Sequence, residues 1–323
     1  MGFIYKNLAM KKRQNTICDV PGIKVGHTQD NEAKTGCTVI LPDRQITASV
    51  EVRGLAPGTR EIELLDPVRP ISQIHGIVLT GGSAFGLDSA CGVVQFLEEN
   101  NIGHETGAAR VPLVPAAVIY DLAVGSSKIR PDRQMGYLAA QQATDDNILQ
   151  GLVGVGTGAS VGKFAGHRCA MNGGMGTCSD VIDEKIIVGV LVVVNALGNV
   201  INPSTGKTIT GARDPETKKF IDPLLIIKQP QSLTFARLTN TTLAVVATNA
   251  QLTKAEAKRL AQMATNGITS TTFPAHTPYD GDVVFAISTG EHAGVDFLRL
   301  GFLAAILVSK AMIHAVKLTN NLE

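Results

Sequence analysis

The chain has 323 residues, with 29 basic and 28 acidic side chains and a formal charge of +1. Near-neutrality excludes a strong sequence-independent attraction to nucleic-acid phosphates or anionic membranes, and ten Phe, four Tyr and no Trp leave little for base stacking. At 44% hydrophobic and 18% charged, the composition suits a large core and excludes a disordered chain, in one large domain or two ordinary ones.

The opening residues, MGFIYKNLAMKKRQN, lack the apolar core of a signal peptide, and Lys6 stands where a myristoylation pattern needs Ser or Thr. Residues 76–80 (GIVLT) predict a buried strand ending at Gly81 and Gly82. A helical pattern follows through Asp88, Val93, Val94, Phe96 and Leu97 to Glu99, with Ser83 as its expected N-cap. Residues 186–195 (IIVGVLVVVN) are almost continuously β-branched, which predicts a strand covered on both faces. The stretch 202–240 holds Pro203, Gly206, Gly211, Pro215, Pro223 and Pro230 and little periodicity before Leu233. It reads as a surface excursion rather than a domain linker.

Residues 243–247 (LAVVA) predict another buried strand. Thr253 and Glu256 form a capping box that opens a helix expected to end at Gly267. Residues 283–287 (VVFAI) predict a strand, and 295–316 a long, largely buried helix. Its most apolar run, 301–308, is too short to span a bilayer and is flanked by Arg299 and Lys310. Interleaved strands and helices predict an α/β or α+β fold with helix-covered sheets.

Five cysteines with no CxxC pair, and seven scattered histidines with no HExxH, suggest neither a disulfide framework nor a metal site. With no leader pattern, a cytoplasmic protein with reduced thiols is expected. Residues 156–163 (GTGASVGK) imitate a phosphate loop. However, five residues rather than four separate Gly156 from Gly162, and Phe164 replaces the required Ser or Thr. Ser83 lies in GGSAF, where Phe85 occupies the final Gly position of a nucleophile elbow, which favours the capping role. Taken alone, Lys163 reads as a surface lysine.

Seven segments in fixed order change that weighting. They are 19–27 (DVPGIKVGH), 53–61 (RGLAPGTRE), 79–88 (LTGGSAFGLD), 111–121 (VPLVPAAVIYD), 156–163, 240–249 (NTTLAVVATN) and 276–282 (HTPYDGD). Together, over about residues 17–316, the chain resembles the L-aminopeptidase/D-esterase family of self-cleaving N-terminal-nucleophile hydrolases. That family also contains β-peptidyl aminopeptidases and the 6-aminohexanoate-oligomer endohydrolases, or nylon hydrolases. Asn-Thr-Thr and the Asp-Gly-Asp turn look most like the nylon hydrolase branch. The resemblance implies a four-layer αββα sandwich in a single domain, residues 1–323, cut between Asn240 and Thr241 into an α chain 1–240 and a β chain 241–323. It further implies a small linear amide as substrate and a homotetramer of αβ protomers; with the charge and the Cys and His spacing above, no cofactor or metal and no nucleic-acid or membrane partner is expected. Within the class, an aminopeptidase, β-peptidyl aminopeptidase or D-esterase is the alternative. Outside it, the alternative is an uncleaved, non-catalytic homologue that binds a small molecule.

The implied chemistry has physical requirements. A threonine hydroxyl needs a base; once Thr241 is a chain terminus, its own α-amine can serve, with a reference pKa of about 7.7–8.0. The tetrahedral oxyanion needs donors. Lys163 and Asn195 match the family's Lys and Asn positions, offering a positive charge and amide N–H groups. Asp280 and Asp282 match its acidic pair, and two-residue spacing in extended chain puts both carboxylates on one side to orient Thr241. Outside this context NTT would be a polar turn into a strand, and DGD a solvated turn.

Overall fold

The computed structural model describes residues 13–228 and 240–322; Leu233, Pro230 and the opening dozen residues lie outside them. Eleven strands carry the architecture: β1 (Ile23–Asp30), β2 (Thr35–Pro42), β3 (Ile46–Val52), β4 (Thr59–Arg60), β5 (Gln73–Ile74), β6 (Ile77–Thr80), β7 (Ala116–Val118), β8 (Gly174–Ile182), β9 (Ile186–Asn195), β10 (Thr241–Ala250) and β11 (Val283–His292). The helices are α1 (Ser89–Glu99), α2 (Arg133–Gln141), α3 (Pro223–Ile227), α4 (Lys254–Thr271) and α5 (Phe297–Thr319). One sheet runs β1-β2-β6-β7-β4 and the other β8-β9-β10-β11-β3-β5.

The two sheets face each other and each carries a helix pair on its outer side. Strand alternation decides which side chains meet which layer. On β10, Leu243 and Val245 pack between the sheets with Ile40, Leu79, Leu191, Val193 and Phe285. Ala244 and Val246 turn outward to Leu260, Ala264, Leu307 and Met312 of α4 and α5. On the far side, Val39, Val78 and Ala116 meet Val93, Leu97 and Ala139 of α1 and α2. The expected αββα sandwich is therefore present, and the β-branched run of β9 is buried because its sheet is covered on both faces.

Several sequence expectations need correction. Ser83 is not the N-cap of α1: it lies inside a 3₁₀ turn, Ser83–Asp88, at φ 53°, and Gly82 caps that turn without a side-chain bond. The helix opened by Thr253 and Glu256 does not stop at Gly267 but continues to Thr271. A Cβ on Gly267 would stand 2.3 Å from the Ala305 carbonyl, so this glycine serves close α4–α5 packing. The last helix, 23 residues with mean hydropathy 1.6, is long and apolar enough to cross a membrane by length and composition. Here it lies on β8 and β9 with Leu300, Ala304, Leu307, Val308 and Met312 buried. The described part of the excursion after β9, residues 202–228, is mostly exposed, as expected, but contains the short strand Thr208–Thr210 and α3.

Candidate active site

Register brings the sequence-identified residues to one end of the larger sheet. Asn195, the last residue of β9, lies directly opposite Thr241, the first of β10. The parallel pairing of Leu243 with Val283 places Asp282 beside the same end, and Asn240 bridges to Asp280. Asn195, Asn240, Thr241, Asp280 and Asp282 are all buried, and so is Lys163, at 1% exposure. Lys163 is therefore no surface lysine.

The loop carrying Lys163 is folded for that burial. Gly162 adopts φ 75° and donates its N–H to the Gly198 carbonyl at 3.0 Å; a Cβ there would stand 1.9 Å from Ala212 N. The Lys163 side chain then turns back to donate to the Asn195 backbone carbonyl at 2.9 Å and to Asn195 Oδ1 at 2.8 Å. Oδ1 also accepts the Ser160 N–H at 3.0 Å, while Nδ2 donates to the Tyr120 carbonyl at 3.3 Å. Burial pushes the lysine down to about 7, against the upward pull of Asp280, Asp121 and Asp282.

The Asp-Gly-Asp turn is held from outside by the loop after β3. Arg53 N donates to the Asp282 carbonyl and Ala56 N to the Asp280 carbonyl, both at 3.0 Å. Gly54 permits this approach, since a Cβ would fall 2.2 Å from the Asp280 carbonyl. The Asp280 carboxylate accepts from Thr277 N at 2.9 Å, Thr277 Oγ1 at 2.5 Å and Leu197 N at 3.3 Å. Burial first, and the neighbouring Asp282 charge second, raise it to about 6. The Asp282 carboxylate accepts Thr242 N and meets His276 Nδ1 at 2.7 Å.

The structure brings the five expected residues together, with two differences in how they act. The Thr241 hydroxyl donates to the Asn240 carbonyl oxygen at 2.5 Å, so its hydrogen-bond partner is the carbonyl of the preceding residue rather than either aspartate. The other donor on that carbonyl is neither Lys163 nor Asn195 but the backbone N–H of Gly281, at 2.8 Å. Three residues that contact this cluster were not singled out from the sequence: Gly281, His276 and Asp121. Asp121 is buried, accepts Thr35 Oγ1 at 2.6 Å and Gly82 N at 2.7 Å, and lies in the field of Lys163; burial raises its pKa. His276 and Asp121 sit inside quoted segments, but nothing in a string shows a backbone donor or a buried carboxyl.

Residues 15–321 match the description of peptidase family S58. An uncharacterized aminopeptidase of Mycobacterium tuberculosis is 42% identical over 291 residues, 85% of this chain and 82% of the relative. A 6-aminohexanoate-oligomer endohydrolase of Paenarthrobacter ureafaciens is 30% identical over 314 residues, 93% of this chain and 85% of that enzyme. Among solved structures, a Burkholderia sp. beta-aminopeptidase superposes with TM-score 0.71 at 21% identity, covering 94% of this chain and 86% of that one. The L-aminopeptidase D-Ala-esterase/amidase of Ochrobactrum anthropi, described as a variant of the Ntn-hydrolase fold, gives 0.70 at 20%, covering 93% and 85%. These two likenesses establish the fold.

Proposed function

The chain belongs to peptidase family S58, and from that premise we propose that it matures by cutting itself between Asn240 and Thr241 and then hydrolyses small linear amides through Thr241. Amide hydrolysis follows from the family; the residues and the cut are our reading of the site. The observation that carries it is the pair of contacts on one carbonyl: the Thr241 hydroxyl and the Gly281 N–H both reach the Asn240 oxygen. A nucleophile and a donor for the oxyanion are thus in place before any substrate arrives.

In maturation, Thr241 Oγ1 bonds to the Asn240 carbonyl carbon and the C–N bond to Thr241 breaks. The hydroxyl proton passes to that nitrogen, which becomes a free α-amine. Water then hydrolyses the Asn240–Thr241 ester, leaving chains 1–240 and 241–323. In turnover the α-amine takes the hydroxyl proton, the substrate acyl group is carried as an ester on Oγ1, and the amine product leaves with the proton before water regenerates Thr241. Lys163 holds Asn195 in register opposite Thr241, and its charge favours the neutral α-amine; Asp280 and Asp282 oppose it and anchor the strand end.

The 6-aminohexanoate-oligomer endohydrolases, at about 30% identity, support an endo-acting hydrolase of linear amides. The 42% identity to an aminopeptidase-named relative supports an aminopeptidase as the second reading. An uncleaved binding homologue is the reading from another class. Self-association as a homotetramer of αβ protomers is supported by the exposed Leu298, Phe302 and Ile306 on the outer face of α5. Five cysteines without a CxxC pair support a cytoplasmic location.

Intact-mass measurement and N-terminal sequencing test the maturation. Two chains should appear, their masses summing to 34.0 kDa plus one water, with the smaller beginning Thr-Thr-Leu-Ala. A persistently intact, inactive chain would favour the binding homologue.

A further inference from the structure

A cleft of about 180 Å³ lies beside the site, lined by Phe164, Leu197, Ile226, Pro274 and Tyr279 among other residues, none of them charged. We propose that this cleft is the acyl-side pocket of the hydrolase, and that it selects amides whose acyl portion is an uncharged, extended hydrocarbon chain. The proposal rests on the reading of Thr241 as nucleophile and adds to it the chemistry of the substrate.

Self-cleavage and turnover pass through the same kind of bond, an acyl ester on Thr241 Oγ1. The acyl group in the first is Asn240 itself, so its place in the folded chain marks where a substrate acyl group must lie. Asn240 is held against the cleft wall: its Nδ2 donates to the Tyr279 carbonyl at 3.3 Å, and its own carbonyl takes the Gly281 N–H at 2.8 Å. The other walls adjoin the same site residues. Phe164 follows Lys163 in the chain, Leu197 N donates to Asp280 Oδ1 at 3.3 Å, and Tyr279 precedes Asp280. Phe164 and Leu197 form a small apolar cluster with Ala212, against which Ile226 of α3 and Tyr279 pack.

At about 30 Å³ for a water-sized group, the cleft has room for about six such groups. An apolar chain entering it leaves water, and each buried methylene should raise kcat/KM about fourfold. A charged acyl end would lose its hydration with no lining side chain to pair it.

The test uses the processed enzyme, its two chains first verified by sequencing, and the p-nitroanilides of acetic, butyric, hexanoic, octanoic and glutaric acids. kcat/KM should climb about fourfold per methylene and level off near six carbons, with the glutaric derivative below the butyric one. Ile226→Trp, which fills the cleft from α3, should flatten the series, so that the longer anilides lose the advantage over the acetic one that they hold in wild type. Ile226→Ala should move the plateau to longer chains and covers the case in which the larger residue prevents folding. A series independent of chain length in wild type, or one that Ile226 variants do not alter, overturns the pocket while leaving Thr241 as nucleophile. Absence of any hydrolysis by correctly cleaved enzyme overturns the functional reading, and the pocket with it.

Discussion

The backbone N–H of Gly281 donates to the carbonyl oxygen of Asn240 at 2.8 Å, across two segments that are neighbours only in the folded sheet. A Cβ added to Gly281 would stand 2.6 Å from the Ala56 carbonyl and 3.0 Å from Thr241 Oγ1. Gly281→Ala must therefore shift either the turn or the hydroxyl. Because a displacement of about 1 Å can cost about 10²-fold in rate, self-cleavage should slow by that order. A time course on denaturing gels measures it, and cleavage at the wild-type rate would remove Gly281 from the mechanism.

Asp280 makes stability depend on acidity with a defined sign. Its carboxyl is raised to about 6 in the fold, against about 3.9 for an ordinary aspartate, so the folded state binds more protons between these values. Its contribution is fully present below about pH 4 and is lost as pH rises through about 6. Asp280→Asn removes this slope. Thermal unfolding from pH 4 to 7 should show the wild type losing ground to the variant as pH rises, and parallel curves would contradict the assignment.

Lys163 works in the opposite sense and over another window. Burial lowers it to about 7, whereas an unfolded lysine titrates near 10.4. The unfolded chain therefore binds more protons between these values, and this group adds stability as pH rises from about 7 toward 10. Lys163→Met should abolish that rise in denaturant titrations. It should also lower turnover by about 10²-fold, because Asn195 loses the donor to both of its oxygens and its orientation opposite Thr241.

The parts of the fold legible in the sequence are those whose environment is uniform. β9 and β10 are covered on both faces, so their apolar runs announce strands. β8, GMGTCSDVI, carries no continuous apolar run because Gly176 interrupts it, yet that glycine lets α5 approach: a Cβ would fall 2.2 Å from the Ala311 carbonyl. α2 is obscured in the same way by Gly136, packed against the Ser89 carbonyl. Lys163, Asn195, Thr241 and Asp282 lie on four separate segments, so no spacing rule joins them, and only the family resemblance put them on one list. Gly281 stayed hidden because its contribution is a backbone N–H, which every residue but proline carries.

His276 holds Asp282 from the side away from Thr242, at 2.7 Å, with its own backbone at φ 52°. Asn tolerates that left-handed backbone better than most residues, so His276→Asn should fold. It shortens the reach to Asp282, and a buried carboxylate with one partner fewer should cost about 1–3 kcal/mol in chemical denaturation. Unchanged stability would show that Asp282 does not depend on the imidazole.

Thr241 itself carries the most exacting expectation, because in the proposed mechanism one hydroxyl serves both maturation and turnover. Thr241→Ala removes the oxygen that donates to Asn240 and keeps the start of β10, which is paired on both sides. The variant should remain a folded single chain of 34.0 kDa without activity. Thr241→Ser retains the oxygen but loses the methyl that restricts its rotamer, so it should cleave and turn over more slowly than wild type. On the processed wild type, activity should rise with pH as the α-ammonium of Thr241, near a reference of about 7.7–8.0, gives up its proton. The serine variant should share that pH profile, since the proposed base is the backbone amine and not the side chain. A different profile for the serine enzyme would assign the base elsewhere. An active, uncleaved Thr241→Ala chain would end the mechanism.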